Sequence, residues 1–101
     1  MIFVLICKDK PGHLQTRVDT RPEHIAYLTR LKEAGKIIFA GPFLDTAGKP
    51  SGSMIAVEAD SRAEAEGIAT DDPYSKAGLF ETVTVHQWNW VINNPDDAET
   101  A

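Results

Sequence analysis

Ile2-Phe3-Val4-Leu5-Ile6-Cys7, a β-branched, aromatic and aliphatic run without polar alternation, reads as a β-strand covered on both faces. A strand of that kind sits inside a sheet, so the chain after it must supply flanking strands and a covering layer. Lys8 to Thr20 holds Pro11-Gly12 and several polar residues and reads as a loop. Thr20-Arg21-Pro22-Glu23 has the spacing of a capping box with Pro22 in the first turn, which predicts a helix beginning there. Along that helix His24, Tyr27, Leu28 and Leu31 recur at i, i+3, i+4 and i+7 and share its inward face. Gly35 supplies the left-handed residue that ends it, and Ile37-Ile38-Phe39-Ala40 follows as a second strand, broken by Gly41-Pro42.

Asp45 to Gly52, rich in Gly, Pro and Ser, reads as a loop before a third strand, Ser53 to Ala59, again apolar on both faces. Asp60 or Ser61 caps a second helix whose stripe is Ala65, Ile68 and Ala69, with Ser61 and Glu64 at capping-box spacing. Asp71-Asp72-Pro73 stops that helix, a short turn carries Tyr74 to Gly78, and Phe80 to Trp90 alternates as a last strand. The order strand, helix, strand, strand, helix, strand is that of an α+β, ferredoxin-like βαββαβ unit. It implies a four-stranded antiparallel sheet with two helices on one face. Residues 1–92 are expected to form this single domain and residues 93–101 a polar C-terminal tail. Strands apolar on both faces leave the helix-free side of the sheet in need of cover, which predicts a homodimer packed sheet to sheet, a dimeric α+β barrel.

With 101 residues the chain fits one domain, and a net charge of −5 with scattered Lys and Arg lacks the basic patch that binding to nucleic acid requires. The longest apolar run is too short to span a bilayer, so no membrane association is expected. Cys7 is the single cysteine. No internal disulfide can form, and a reducing, cytoplasmic setting with Cys7 as a buried structural thiol is expected. There is no phosphate loop, dinucleotide fingerprint or nucleophile elbow, and His13 and His86 lack partners at metal-ligand spacing, so neither cofactor nor metal is expected.

The predicted topology brings the start of the first helix and the end of the second to one edge of the sheet, where the long loops also gather. His24 and Asp72 meet there as a candidate acid/base pair. An imidazole changes charge near neutral pH, and a carboxylate on one ring nitrogen fixes its tautomer while the other nitrogen faces a substrate. The structural alternatives are a histidine satisfied at a helix start and an Asp-Pro helix cap. Asp71 is the solvated neighbour, and a one-residue shift would exchange the two carboxylates. Arg21 is positioned to hold an anionic group or to pair with Asp19 or Glu23, Ser53 to donate to a ligand or serve the turn, and Tyr74 to line a pocket or cover the helix end.

Arg21 and His24 in Arg-Pro-Glu-His, Leu28 with Leu31, Gly35-Lys36-Ile37-Ile38 running into Ala40-Gly41-Pro42, Gly52-Ser53, and Asp72-Pro73-Tyr74 with Ala77-Gly78-Leu79-Phe80 together resemble the YCII-related family. The resemblance covers residues 1 to 88. It implies the dimeric α+β barrel, His24 and Asp72 as a catalytic pair, and, through fold relatives that include muconolactone isomerases and chlorinated-aromatic dehydrochlorinases, isomerase or lyase chemistry on a small organic substrate without a cofactor. A non-catalytic dimeric module that binds a small metabolite or a protein is the alternative. Two departures from the family pattern stand out. Ile68 replaces a common aromatic residue, which is expected to reshape a pocket wall, and His86-Gln87-Trp88 changes the end of the last strand.

Overall fold

A computed structural model describes residues 1–96. Its elements run β1 (Ile2–Asp9), α1 (Leu14–Glu33), β2 (Ile37–Leu44), β3 (Pro50–Glu58), α2 (Arg62–Asp71), α3 (Pro73–Lys76) and β4 (Phe80–Trp88). The strands form one antiparallel sheet in the order β2-β3-β1-β4, so the two strands read as apolar on both faces are the central ones. The expected ferredoxin-like order is present, with α3 as an added turn of helix. Residues 97–101 of the expected tail lie outside the described residues, and 95–96 form a turn.

The register assigns the faces. Phe3, Leu5 and Cys7 of β1 and Ile55 and Val57 of β3 point toward Ala65, Ile68 and Ala69 of α2, forming a buried core that Tyr27, Leu28 and Leu31 of α1 help to close. The small residues on α2 let it approach the sheet closely. Ser61 caps α2 by accepting the Glu64 amide at 3.1 Å, and Glu64 reaches back to the Asp60 amide at 2.7 Å rather than to that of the cap itself. Tyr27 Oη donates to the Ile68 carbonyl at 2.7 Å and ties α1 to α2. Burial pushes its phenol up to about 12, with Asp71 and Asp72 adding to the shift, so this donor stays protonated.

Four boundaries depart from the sequence reading. The first helix starts at Leu14, not Thr20, so Lys8 to Thr20 is not a loop and His24 lies mid-helix rather than on a first turn. Pro22 is inside α1. It cannot donate to the Val18 carbonyl, and Val18 is 56% exposed, so water can satisfy that group. Strand β2 runs on through Gly41-Pro42 to Leu44, because it is an edge strand and can accommodate a residue without an N–H. Consequently β3 begins at Pro50 and the hairpin loop contracts to 45–49. The last strand ends at Trp88; Trp90 lies past it but stacks on Trp88 at 5.7 Å, with Phe39 edge-on to both.

Close approach of strands sets one strict requirement. A Cβ added to Gly52 would stand 2.5 Å from the Cys7 carbonyl oxygen, inside van der Waals contact with backbone that cannot swing away. Gly52→Ala is expected to destabilise the fold by about 1–3 kcal/mol through forced separation of β1 and β3. A lower urea midpoint with an unchanged m-value would show it; an unchanged midpoint would mean that the strands can part without cost.

Candidate active site

Asp72 ends α2 and begins α3. Its extended backbone (φ −60°, ψ 130°) turns the chain, and its Oδ1 accepts the Tyr74 amide at 2.9 Å as the N-cap of α3, with Pro73 as the first helical residue. The same carboxylate faces α1, where His24 Nδ1 donates to Oδ1 at 2.8 Å and lies 3.1 Å from Oδ2. Both side chains are buried, Asp72 to 1% exposure, whereas Asp71 is exposed. A carboxylate is an acceptor only, so this contact assigns the imidazole proton to Nδ1. Nε2 has no protein partner among the described residues and is not sealed off, and His24 lines a cavity. The Tyr74 ring stacks on the imidazole, with centroids 3.9 Å apart and 18° between planes.

A second buried ion pair also contacts the Tyr74 ring. Arg17, two helical turns before His24, donates from Nε to Asp9 Oδ2 at 2.7 Å and from Nη2 to Asp9 Oδ1 at 2.9 Å, and Nη2 also reaches Ser53 Oγ at 2.9 Å. Its Cζ lies 4.6 Å from the Tyr74 centroid. Burial works against the guanidinium charge, but the Asp9 contacts more than offset it and raise the Arg17 pKa. Burial also raises the Tyr74 phenol, partly opposed by Arg17 and Arg21, so its hydroxyl remains a proton donor at neutral pH.

These groups share a cavity of about 410 Å³ between α1 and the β2–β3 hairpin. Leu28, Ile55, Ala40 and Pro42 give it apolar walls; Arg17, Arg21, His24, Ser53 and Tyr74 supply its polar groups. That volume suits a small organic ligand, for which pockets run roughly 300–1,000 Å³. Arg21 lies on its exposed side and forms no ion pair among the described residues. Among those residues no three His, Cys, Asp or Glu side chains gather to hold a metal ion.

The structure thus brings together all five residues singled out in the sequence, and it adds Arg17 and Asp9, which the sequence reading missed. Both lay in the stretch read as a loop. The signal was present: Leu14, Val18, Ile25 and Leu28 hold a helical repeat through Pro22, and Arg17 falls seven residues before His24. His24 and Asp72 meet because α3 folds back against α1, not because a helix start reaches the edge of the sheet. Ile68 does not shape a pocket wall. It packs in the core and is not part of the cavity lining.

The YCII-related domain model matches residues 1–89. The chain belongs to the YCII-related family. It is 35% identical over 98 residues to the protein YciI of Escherichia coli O6:H1, covering 91% of this chain and all of that one. The structure resembles 5-chloro-2-hydroxyhydroquinone dehydrochlorinase (TftG) of Burkholderia phenoliruptrix AC1100, solved in complex with 2,5-dihydroxybenzoquinone. The TM-score is 0.82 at 38% identity, over 88% of this chain and 94% of that one. A further relative, derivative of benzaldehyde biosynthesis cluster protein C of Emericella nidulans, is 33% identical over 72 residues, covering 64% of this chain and 74% of that protein.

Cys7 is buried in the core of this YCII-related domain. Burial pushes its thiol from 9.0 up to about 12; Asp72 and Asp9 add to the shift and Arg17 opposes it. A group that holds its proton more tightly in the folded state contributes stability fully present below pH 9.0 and lost as pH rises toward about 12. At pH 8 the folded thiolate fraction is about a thousandfold below that of the unfolded chain, so a thiol reagent is expected to label Cys7 only at the rate of unfolding. Rapid stoichiometric labelling of the native protein would contradict this placement.

Proposed function

We propose that this chain is a cofactor-independent acid/base enzyme of the isomerase or lyase type, acting on a small planar oxygenated ring. The observation that carries the reading is an imidazole held by a buried carboxylate through Nδ1 while Nε2 opens on a ring-sized apolar cavity. In this reading His24 takes and returns a proton, Asp72 holds its tautomer and stabilises the imidazolium, and Tyr74 keeps the ring in plane by stacking. Ser53 and Tyr74 offer hydroxyls to the ligand, and Arg21, at the mouth and without an ion-pair partner among the described residues, attracts an anionic one. The similarity to TftG favours a hydroxylated or chlorinated quinol or quinone as substrate. A lone buried cysteine fits a reducing, cytoplasmic setting.

The proposal includes a homodimer through the helix-free sheet face. By register that face carries Ile2, Val4 and Ile6 from β1, Met54 from β3, Phe39 from β2 and Trp88 from β4, an apolar surface that no helix among the described residues covers. A second copy presents the same surface, and a twofold axis covers both at once.

Two measurements test the proposal. Proton NMR in D2O should show wild-type protein accelerating deuterium uptake beside the carbonyl of enolisable ring ketones, or chloride release from chlorinated hydroxyquinols. His24→Gln should lower that rate about 10²- to 10⁴-fold and Asp72→Asn should lower it less, with ligand binding retained. A rate indifferent to His24→Gln removes the imidazole from the chemistry. Light scattering at micromolar concentration should give twice the 11.1 kDa chain mass, and Phe39→Glu should return it to one chain; a monomeric wild type refutes the sheet-to-sheet dimer.

A further inference from the structure

We infer that Arg17, with the hydroxyls of Ser53 and Tyr74 beside it, forms a second pole of the site that binds a carbonyl oxygen and stabilises the negative charge that develops on it when His24 removes a proton. The inference rests on the acid/base reading above and assigns the part of the substrate that reading leaves unheld.

A guanidinium has five N–H donors. Arg17 uses Nε–H and Nη2 on Asp9 and Ser53, and Nη1 has no partner among the described residues. Arg17 is only 5% exposed, yet among the described residues no buried side-chain nitrogen or oxygen is left unpartnered, so the exposed part includes Nη1, and Arg17 lines the cavity. Tyr74 is 1% exposed, and its hydroxyl interacts with the Arg17 guanidinium, which holds the phenol down against the rise that burial causes, so the two groups stand at one place in the site. A buried cation that lines an apolar cavity with donors unused by its ion pair is costly unless something accepts from them. Water does so when the site is free; a ligand oxygen does so more strongly once water is displaced.

The placement relative to the base gives the chemistry. Arg17 and His24 both contact the Tyr74 ring and both line the cavity, so one ligand held there meets both. Asp9 neutralises the net charge of Arg17 without consuming Nη1, so the pole suits an oxygen that is neutral on arrival and anionic in the transition state. In the step itself, Nε2 of His24 takes the proton from a carbon next to the carbonyl. The C–H pair becomes a C=C bond, and the carbonyl π pair moves onto the oxygen held by Nη1. Collapse of the enolate returns the pair: reprotonation at another carbon from His24 completes an isomerisation, and departure of a halide anion from the neighbouring carbon completes loss of HX. No electrons leave the substrate, so neither oxidant nor reductant is required. The substrate class is therefore an enolisable cyclic ketone or a quinone tautomer.

The test uses full-length protein and 2,5-dihydroxybenzoquinone as probe, its binding followed by visible titration and its carbonyl stretch by Raman difference spectroscopy. Wild-type protein should bind it and lower the stretching frequency. Arg17→Lys, which keeps the charge on Asp9 but has no Nη1, should bind at least about tenfold more weakly and lose the frequency shift. Because Arg17 is buried, the double substitution Asp9→Asn with Arg17→Gln provides a second, uncharged variant, accepted only if its circular dichroism and melting match wild type. Wild-type affinity and frequency shift in either folded variant would overturn the inference. If His24→Asn abolishes binding while both Arg17 variants keep it, the oxygen pole is wrong, and the exchange assay judges the acid/base reading separately. Failure of wild type to bind the probe overturns the pole as described and leaves the exchange assay to judge His24 separately.

Discussion

The carboxylate of Asp72 joins three parts of the molecule that otherwise have no common anchor. Its backbone turns the chain out of α2, one oxygen caps α3, and both oxygens face the imidazole of α1. Since α3 is only four residues long, it depends on that cap and on Pro73 to start, and it is α3 that sets Tyr74 against His24. A carboxylate with one role could be replaced by another polar group. One that ends a helix, begins a helix and orients an imidazole while 1% exposed has no equivalent among the other side chains.

The rest of the polar wall follows the same economy. Two anions, Asp9 and Asp72, lie behind the cavity, and each is matched by a group from one face of α1, Arg17 and His24, two turns apart. In a low-dielectric setting unmatched charges would be expensive, and the matching leaves spare nitrogens rather than spare charge facing the cavity. Arg21, between them in sequence and at the mouth, is the cation that no acidic side chain among the described residues neutralises. A site built this way sets its anions behind the cavity and that cation at its entrance.

Periodicity and capping patterns made most of this architecture readable. The uninterrupted run Ile2 to Cys7 identified a central strand, Ser61 with Glu64 marked a helix start, and His24 with Tyr27, Leu28 and Leu31 gave the inward face of α1. What failed was local punctuation. Pro22 and Gly41-Pro42 were read as boundaries, yet one lies inside a helix whose freed carbonyl can meet water and the other inside an edge strand. Both exceptions depend on exposure, a tertiary property, and the first of them hid Arg17 by turning its helix into a loop. The sequence favours Asp72 over Asp71 as the histidine partner and leaves a one-residue shift open, which the burial of Asp72 beside an exposed Asp71 closes.

Pro22 also bears on the mechanics of the site. It removes one rung of the hydrogen-bond ladder of α1 at a point between Arg17 and His24. A beam bends where its cross-section is thinnest, and a helix bends where a rung is missing. A bend of α1 at that point changes the gap between the guanidinium and the imidazole, while each stays clamped to its own anchor. Ligand length, rather than ligand polarity, is the coordinate along which this pocket is compliant.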